Sequence, residues 1–207
     1  MTAVPVSRPR GARRAGRRKI AVLQAAGRVI AARGADATRF ADVAAESGVP
    51  VSTLQYYFGS REDLLVAAFR HASETEIASL TAELAGLSDP WERLTRIIER
   101  ALGGYQQGPA GAGRLWIESW HAGIRDAEMR ADTLHDYAAW RGLVADAVRA
   151  GTASGRFRAS SDPDRIAVLA IALADGIGVP LALGDPQITA AGAAQDVLTV
   201  LDRLLLP

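Results

Sequence analysis

The chain has 207 residues, is 49% hydrophobic and 23% charged, and carries a formal net charge of +1. That is enough apolar chain for one large domain, or a small one joined to a larger, with a sizeable core. The absence of cysteine excludes a disulfide scaffold, a thiolate zinc site and a cysteine nucleophile, and it suits a reducing cytoplasm.

The near-neutral charge hides a division. Residues 1–70 carry 12 Arg or Lys against 5 Asp or Glu, and residues 71–207 carry 12 against 18, so balances of +7 and −6 sum to +1. Residues 1–33 hold nine basic residues and no acid. A basic end on an otherwise acidic chain points to a polyanion partner at that end, or to a solvated tail that aids solubility. The basic N-terminus lacks the apolar block of a signal peptide, and no apolar run reads as a membrane span.

In chain order, residues 1–16 read as a disordered basic arm. A first helix carries the stripe Ile20, Leu23, Gly27 and Ile30 and ends at Gly34. A second, short helix follows Thr38 as N-cap, holds Phe40, Val43 and Ala44, and ends at Ser47-Gly48. A third begins near Pro50 and stops by Phe58-Gly59. Ser60 and Asp63 form a capping box that opens a long fourth helix. Asp89-Pro90 opens a helix to about Gly104, and another runs from Arg114 to about Gly123. Asp126 caps one to about Gly155, Asp162-Pro163 opens a very apolar one to about Gly184, and a last runs from Thr189 to Leu206. The expectation is an all-α chain of about nine helices, with an arm at 1–16, a small domain at 17–62 and a larger one at 63–207.

The second and third helices carry the most specific signal. Ala44, Gly48 four residues on and Leu54 six beyond have helix-turn-helix spacing. Ala44 lets the helices cross closely, and Gly48 supplies the turn. Val43, Val49 and Leu54 plug the crossing. A glycine-turned helical hairpin without DNA binding has the same spacing. On the third helix Val51, Ser52, Gln55 and Tyr56 span about 140° of one face, and Leu54 falls away from it. A short outward face of this kind suits a recognition helix read from its N-terminal part.

The stretch "ATRFADVAAESGVPVSTLQYYFGSREDLL" resembles the N-terminal domain of the TetR family of bacterial repressors. The resemblance rests on Val43-Ala44, Gly48-Val49, Thr53-Leu54, the aromatic run Tyr56-Tyr57-Phe58, and Ser60, Arg61, Glu62 and Leu64. Upstream, "RRKIAVLQAAGRVIAARG" is similar to the family's first helix. The resemblance implies an all-α homodimer whose N-terminal three-helix head enters the major groove of a palindromic DNA operator. It implies a larger C-terminal domain that binds a small-molecule inducer and thereby releases the operator.

Thr53 and Tyr56 match family positions that touch DNA, and Ser52 and Gln55 lie in the same stretch. Gln55 stands where the family often has tyrosine, and glutamine can bond an adenine edge with both its polar atoms. Val51 stands where a polar residue is usual, and Pro50 replaces a common capping serine. Tyr57 and Arg61 match phosphate-contacting positions, which set register without reading sequence. Arg39 and Lys19 are further candidates for phosphate contact. The arm arginines Arg8 to Arg18 either reach a minor groove or stay free.

The C-terminal half loosely resembles a domain type that includes choline-responsive repressors, through spaced tryptophans, the segment Arg125 to Arg130 and the later "ADGIG". Trp116 and Trp120 share a helical face. With Tyr105, Tyr137 and Trp140 they either form a cage for a quaternary ammonium ligand or fill a core. Asp175 sits in "IAVLAIALADGIGVPLAL", where an unpaired buried carboxylate is costly. It faces a ligand cation, pairs with an arginine such as Arg141, or bonds at a dimer seam. His121 is included among the ligand candidates. His121 and His135 lie on different helices without a third ligand, so no metal is expected, nor any other cofactor. The last two helices are apolar enough for a symmetric four-helix dimer interface or for a buried core. No nucleophile–base pair is visible, which speaks against an enzyme. The alternative is a helical small-molecule-binding protein, or enzyme, that keeps the helix-turn-helix shape without operator specificity.

Overall fold

A computed structural model describes residues 10–106 and 112–206. Among these residues the chain forms nine α-helices and no strand. They are α1 (Arg10–Arg33), α2 (Phe40–Ser47), α3 (Val51–Phe58), α4 (Arg61–Leu84), α5 (Pro90–Gly103), α6 (Ala112–Arg125), α7 (Ala127–Ala153), α8 (Pro163–Leu183) and α9 (Ala190–Leu205). A 3-10 turn, Gly104–Gln106, follows α5.

The helix ends follow local chemistry. Ser60 accepts from Asp63 N at 3.0 Å, and Ser60 N donates back to the Asp63 carboxylate, so the expected capping box starts α4. Asp89, Asp126, Asp162 and Thr189 cap α5, α7, α8 and α9 with their side chains. At the start of α2, however, the cap is Arg39, whose N–H donates to Asp42 at 3.0 Å. Thr38 is fully buried instead, and its hydroxyl donates to Gly34 O at 2.8 Å. A threonine can serve the preceding turn as well as the following helix, and here the preceding turn wins.

Two further expectations change. The arm does not stay irregular up to Gly16, because α1 already runs from Arg10; residues 1–9, with Arg8, lie outside the described residues. The buried stripe of α1 is Val22, Leu23, Ala26, Val29 and Ile30, whereas Ile20 is 45% exposed. The helix meets its partners one turn later than the Ile20 pattern suggests.

Among the described residues there are two hydrophobic cores. The smaller joins α1, α2, α3 and the first turns of α4 through Val22, Ile30, Val43, Val49, Leu54, Phe58, Leu64 and Phe69. The larger joins the end of α4 to α5, α7, α8 and α9 through Leu80, Leu84, Ile97, Val144, Ala170 and Leu201. The two cores therefore hand over inside α4, after Phe69. Met129 of α7, with Leu115 and Ala122 of α6, packs on the smaller core from the other side. Arg70 of α4 also bonds both carboxylate oxygens of Asp132 on α7.

Helix α8 is long and apolar enough to cross a membrane by length and composition, yet 39% of its most apolar window is buried against the rest of the chain. Its outer face presents Val168, Leu169, Val179 and Leu183, the last 82% exposed, beside Val200 and Leu204 of α9.

Candidate DNA-reading head and ligand cavity

In the head, Gly48 ends α2 with φ +67°, and its N–H donates to Ala44 O at 3.0 Å. This left-handed backbone, disfavoured once a Cβ is present, turns the chain from α2 into α3. Val43, Val49 and Leu54 are buried at the crossing, as the spacing requires. Pro50 takes the N-cap position of α3 and offers no side-chain bond to the helix start.

The structure sorts the aromatic run. Leu54 and Phe58 are buried, and Tyr56 is 86% exposed. Tyr57 is half-buried and packs edge-on to Phe58 and tilted to Tyr56, with ring centroids 6.2 and 6.0 Å apart. Ser52 and Gln55 are exposed, while Val51 and Thr53 are half-buried. One face of α3 therefore carries Ser52, Gln55 and Tyr56 into solvent, on a helix anchored by Leu54 and Phe58. Arg39 is exposed at the start of α2. Lys19 places its ammonium 5.3 Å from the Phe58 ring centroid, so a charge from α1 sits at the end of α3.

Arg61, matched by pattern to a phosphate-contacting position, also makes contacts within the head. It is 24% exposed, and its guanidinium is turned back into the head. Nε donates to Thr38 O at 2.7 Å, Nη2 donates to Ala35 O and, at 3.0 Å, to Asp36 O, and Nη1 meets Glu62. The side chain thus fastens the α1–α2 loop to the start of α4. Loop carbonyls outside a helix ladder still need donors, and a planar guanidinium can serve several at once.

In the larger core, a small cavity of about 30 Å³ opens between α5, the 3-10 turn, α6, α7 and α8. Tyr105, Trp116, Trp120, Tyr137, Trp140 and Asp175 line it, so six of the seven residues singled out for a ligand converge. Trp116, Trp120 and Tyr137 form a nearly equilateral triangle, with ring centroids 6.2, 6.3 and 6.4 Å apart. The three ring planes lie within 36° of parallel, and a cation over the triangle lies within about 6 Å of the three ring centres, the reach of a cation–π contact where it sits over a ring face. Trp140 and Tyr105 are buried in the wall. A Cβ on Gly178 would come within 2.5 Å of the Tyr105 ring, so only glycine lets the ring lie against α8.

Asp175 is half-buried and accepts a hydrogen bond from Tyr137 Oη at 2.8 Å. Burial holds its carboxyl above the usual value, opposed by the Tyr137 bond and the Arg141 charge. Burial and the neighbouring carboxylate likewise push up the phenols of Tyr105 and Tyr137, so both rings keep their protons. Arg141 does not form the ion pair with Asp175 offered as one alternative above. Its guanidinium lies over the Tyr137 ring, 5.1 Å from the centroid. The carboxylate is therefore tied to a ring of the cavity wall. Trp120 Nε1 and Trp140 Nε1 are buried and find no acceptor among the described residues.

His121 departs from the set: it is exposed and sits against Arg125 one turn along α6. Position 121 shares α6 with Trp116 and Trp120 but points about 100° from its neighbour Trp120. Sequence reasoning missed three lining residues, Ala101, Ile171 and Ala174. The spacing of Ile171 and Asp175, four apart on one helix, is the signal that could have found the first of these on α8. Ala101 has no such signal, because only the packing of α5 brings it there.

Comparison with known proteins bears on both halves. A family model described as bacterial regulatory proteins, tetR family, matches residues 22–68. A second, described as the C-terminal domain of BetI-type transcriptional repressors, matches residues 90–206.

The chain is a TetR-family transcriptional regulator.

Its curated relative, the HTH-type transcriptional regulator BetI of Rhizobium meliloti (strain 1021), is 27% identical over 175 residues, 83% of this chain and 81% of that protein. A transcriptional regulator from Saccharomonospora viridis, solved in complex with choline, superposes with a TM-score of 0.84 and 27% identity, covering 93% of this chain and 99% of that one. A TetR-family chain from Rhodococcus sp. gives 0.78 and 28%, covering 92% and 99%. The regulator thus joins a helix-turn-helix head to a helical C-terminal domain, and the cavity lies within the part that matches the BetI-type model.

Proposed function

We propose that this TetR-family regulator is a repressor that binds a palindromic operator as a homodimer and leaves it when a small quaternary ammonium ligand of the choline type enters the cavity. The observation that carries the ligand class is the triangle of Trp116, Trp120 and Tyr137 with Asp175 beside it. Ring faces attract a soft, weakly hydrated cation, and the carboxylate offsets its charge in a half-buried site. The two unpartnered indole N–H groups favour a ligand with an acceptor oxygen near its cationic centre. The choline bound by the Saccharomonospora viridis protein has both features.

In this reading Ser52, Thr53, Gln55 and Tyr56 meet base edges, with Val51 beside them. Tyr57, Arg39 and Lys19 meet phosphates, and Arg61 acts by holding the head together. The outer faces of α8 and α9 are the surface through which two chains pair. Val168, Val179, Leu183, Val200 and Leu204 give it an apolar character that a lone chain leaves in water. Operator binding places the protein in the cytoplasm with the DNA.

The test is a gel shift on the chain's own upstream DNA at moderate salt, titrated with choline, together with choline quenching of tryptophan fluorescence. A sequence-specific shift reversed by choline, with saturable quenching over the same range, is expected. Saturable quenching by neutral apolar ligands alone would replace the ligand class, and the absence of any sequence-specific shift would refute operator binding.

A further inference from the structure

Glu118 lies on α6 between Trp116 and Trp120. At about 100° per residue its side chain projects roughly 180° from the mean direction of those two tryptophans. Where they face the cavity, Glu118 faces the head. Its carboxylate accepts a hydrogen bond from Ala35 N at 2.7 Å, across 83 residues of sequence. Ala35 lies two residues after the end of α1, in the loop that leads to α2. Its carbonyl, on the other side of the same residue, accepts from Arg61. Arg61 opens α4, three residues after the last residue of α3. Ala35 is thus held by the ligand domain through its N–H and by the reading head through its C=O.

The surroundings leave α6 room to shift. A second cavity of about 50 Å³ lies between part of α6 and α4, lined by Phe69, Ser73 and Glu76 on one side and Leu115, Trp116 and Ser119 on the other. Trp116 forms a wall of both cavities. A rotation of α6 that draws Trp116 and Trp120 onto a ligand therefore displaces Glu118 in the opposite sense.

We propose that Glu118 is the positioning residue that couples occupancy of the aromatic cavity to the DNA-reading head, by pulling on the Ala35 N–H and, through Arg61, on the α3–α4 junction. A charged acceptor on a half-buried amide makes a strong bond, so the link resists stretching. Displacement of Glu118 moves the loop or breaks the bond. Either event changes how α2 and α3 are presented. The coupling rests on the reading of the cavity as a choline-type site given above.

The decisive experiment measures operator affinity of the full-length protein with and without saturating choline, for the wild type, Glu118→Ala and Glu118→Gln. Choline affinity without DNA is read in parallel from tryptophan fluorescence. The wild-type ratio of operator Kd values is expected to lie in the usual range for coupled sites, about 5- to 150-fold. Glu118→Ala should bind choline within about threefold of wild type, yet its operator ratio should collapse to within about threefold of unity. Glu118→Gln, which keeps an acceptor oxygen, should restore most of the ratio. If Glu118→Ala binds choline and keeps the full ratio, the coupling role is wrong while the cavity reading stands. No choline response in the wild type would overturn the cavity reading, and this coupling with it. Should Glu118→Ala fail to fold, amide exchange at Ala35 in the wild type decides, since choline must change its rate and an unchanged rate refutes the link.

Discussion

Tyr137 donates its phenolic hydrogen to Asp175 at 2.8 Å, so the carboxylate of the ligand cavity is bonded to one of the three rings that would hold a cation. The bond fixes the ring and the charge in one geometry. It also keeps Asp175 ionisable, because a phenol donor favours the charged form and burial opposes it.

Asp175→Asn removes the charge and keeps the shape. Choline affinity is expected to fall at least about tenfold, a change of about 1.4 kcal/mol. Thermal stability of the unliganded protein should hold or rise, because a half-buried carboxylate no longer has to be desolvated. Isothermal titration and thermal melts read the two effects separately, and a variant that loses stability but keeps choline binding would contradict the assignment.

The pH dependence has opposite signs for the free and bound protein. Burial lifts the Asp175 carboxyl above its ordinary value of 3.8, so the folded state holds this proton more tightly than the unfolded chain. Ionisation then costs stability above the folded value, and that cost fades as the pH falls toward 3.8. Cation binding needs the carboxylate, so choline affinity should drop as the pH falls into the same window. Fluorescence titrations at a series of pH values should show this drop in the wild type and not in Asp175→Asn.

Gly178→Ala places a methyl group 2.5 Å from the Tyr105 ring, too close for either to stay. The ring must turn into the cavity or α8 must move. Choline affinity is expected to fall while operator binding without ligand persists, and parallel fluorescence and gel-shift titrations would show whether the two separate.

Gln55→Ala should change the preferred base at one operator position, since Gln55 is the exposed amide of α3. Loss of a two-point contact to a base costs about 1–3 kcal/mol of discrimination. Selection of binding sites from a randomised pool reads this directly, and an unchanged preference would remove Gln55 from the reading face.

Arg61→Ala was to be expected, from a phosphate role, to weaken binding evenly and lower the salt slope. The bonds to Ala35, Asp36 and Thr38 carbonyls lead to a different expectation. The variant should lose about 1–3 kcal/mol of stability, as buried carbonyls lose a charged donor, with little change in salt slope. Arg39→Ala, at an exposed cation, should do the reverse. Denaturant melts and salt-dependent gel shifts on both variants distinguish the roles.

Much of this protein is determined locally. Ser60 with Asp63, and the capping aspartates at 89, 126 and 162, set helix starts from within a few residues. The Ala44, Gly48 and Leu54 spacing sets the helix-turn-helix in the same way, because a left-handed turn and a close crossing demand those residue types. The division of Leu54 and Phe58 from Ser52, Gln55 and Tyr56 follows from helical geometry alone. Tertiary structure decided what no short window contains. Whether spaced aromatics fill a core or line a cavity depends on how α5, α6, α7 and α8 meet, and their meeting leaves space bounded by Asp175. Arg61 matched a phosphate position by pattern, yet the carbonyls it serves lie 23–26 residues away. His121 faces solvent, and Thr38 serves the turn before it, for the same reason. A side chain with several possible partners takes those that packing brings within reach, and packing is a property of the whole chain.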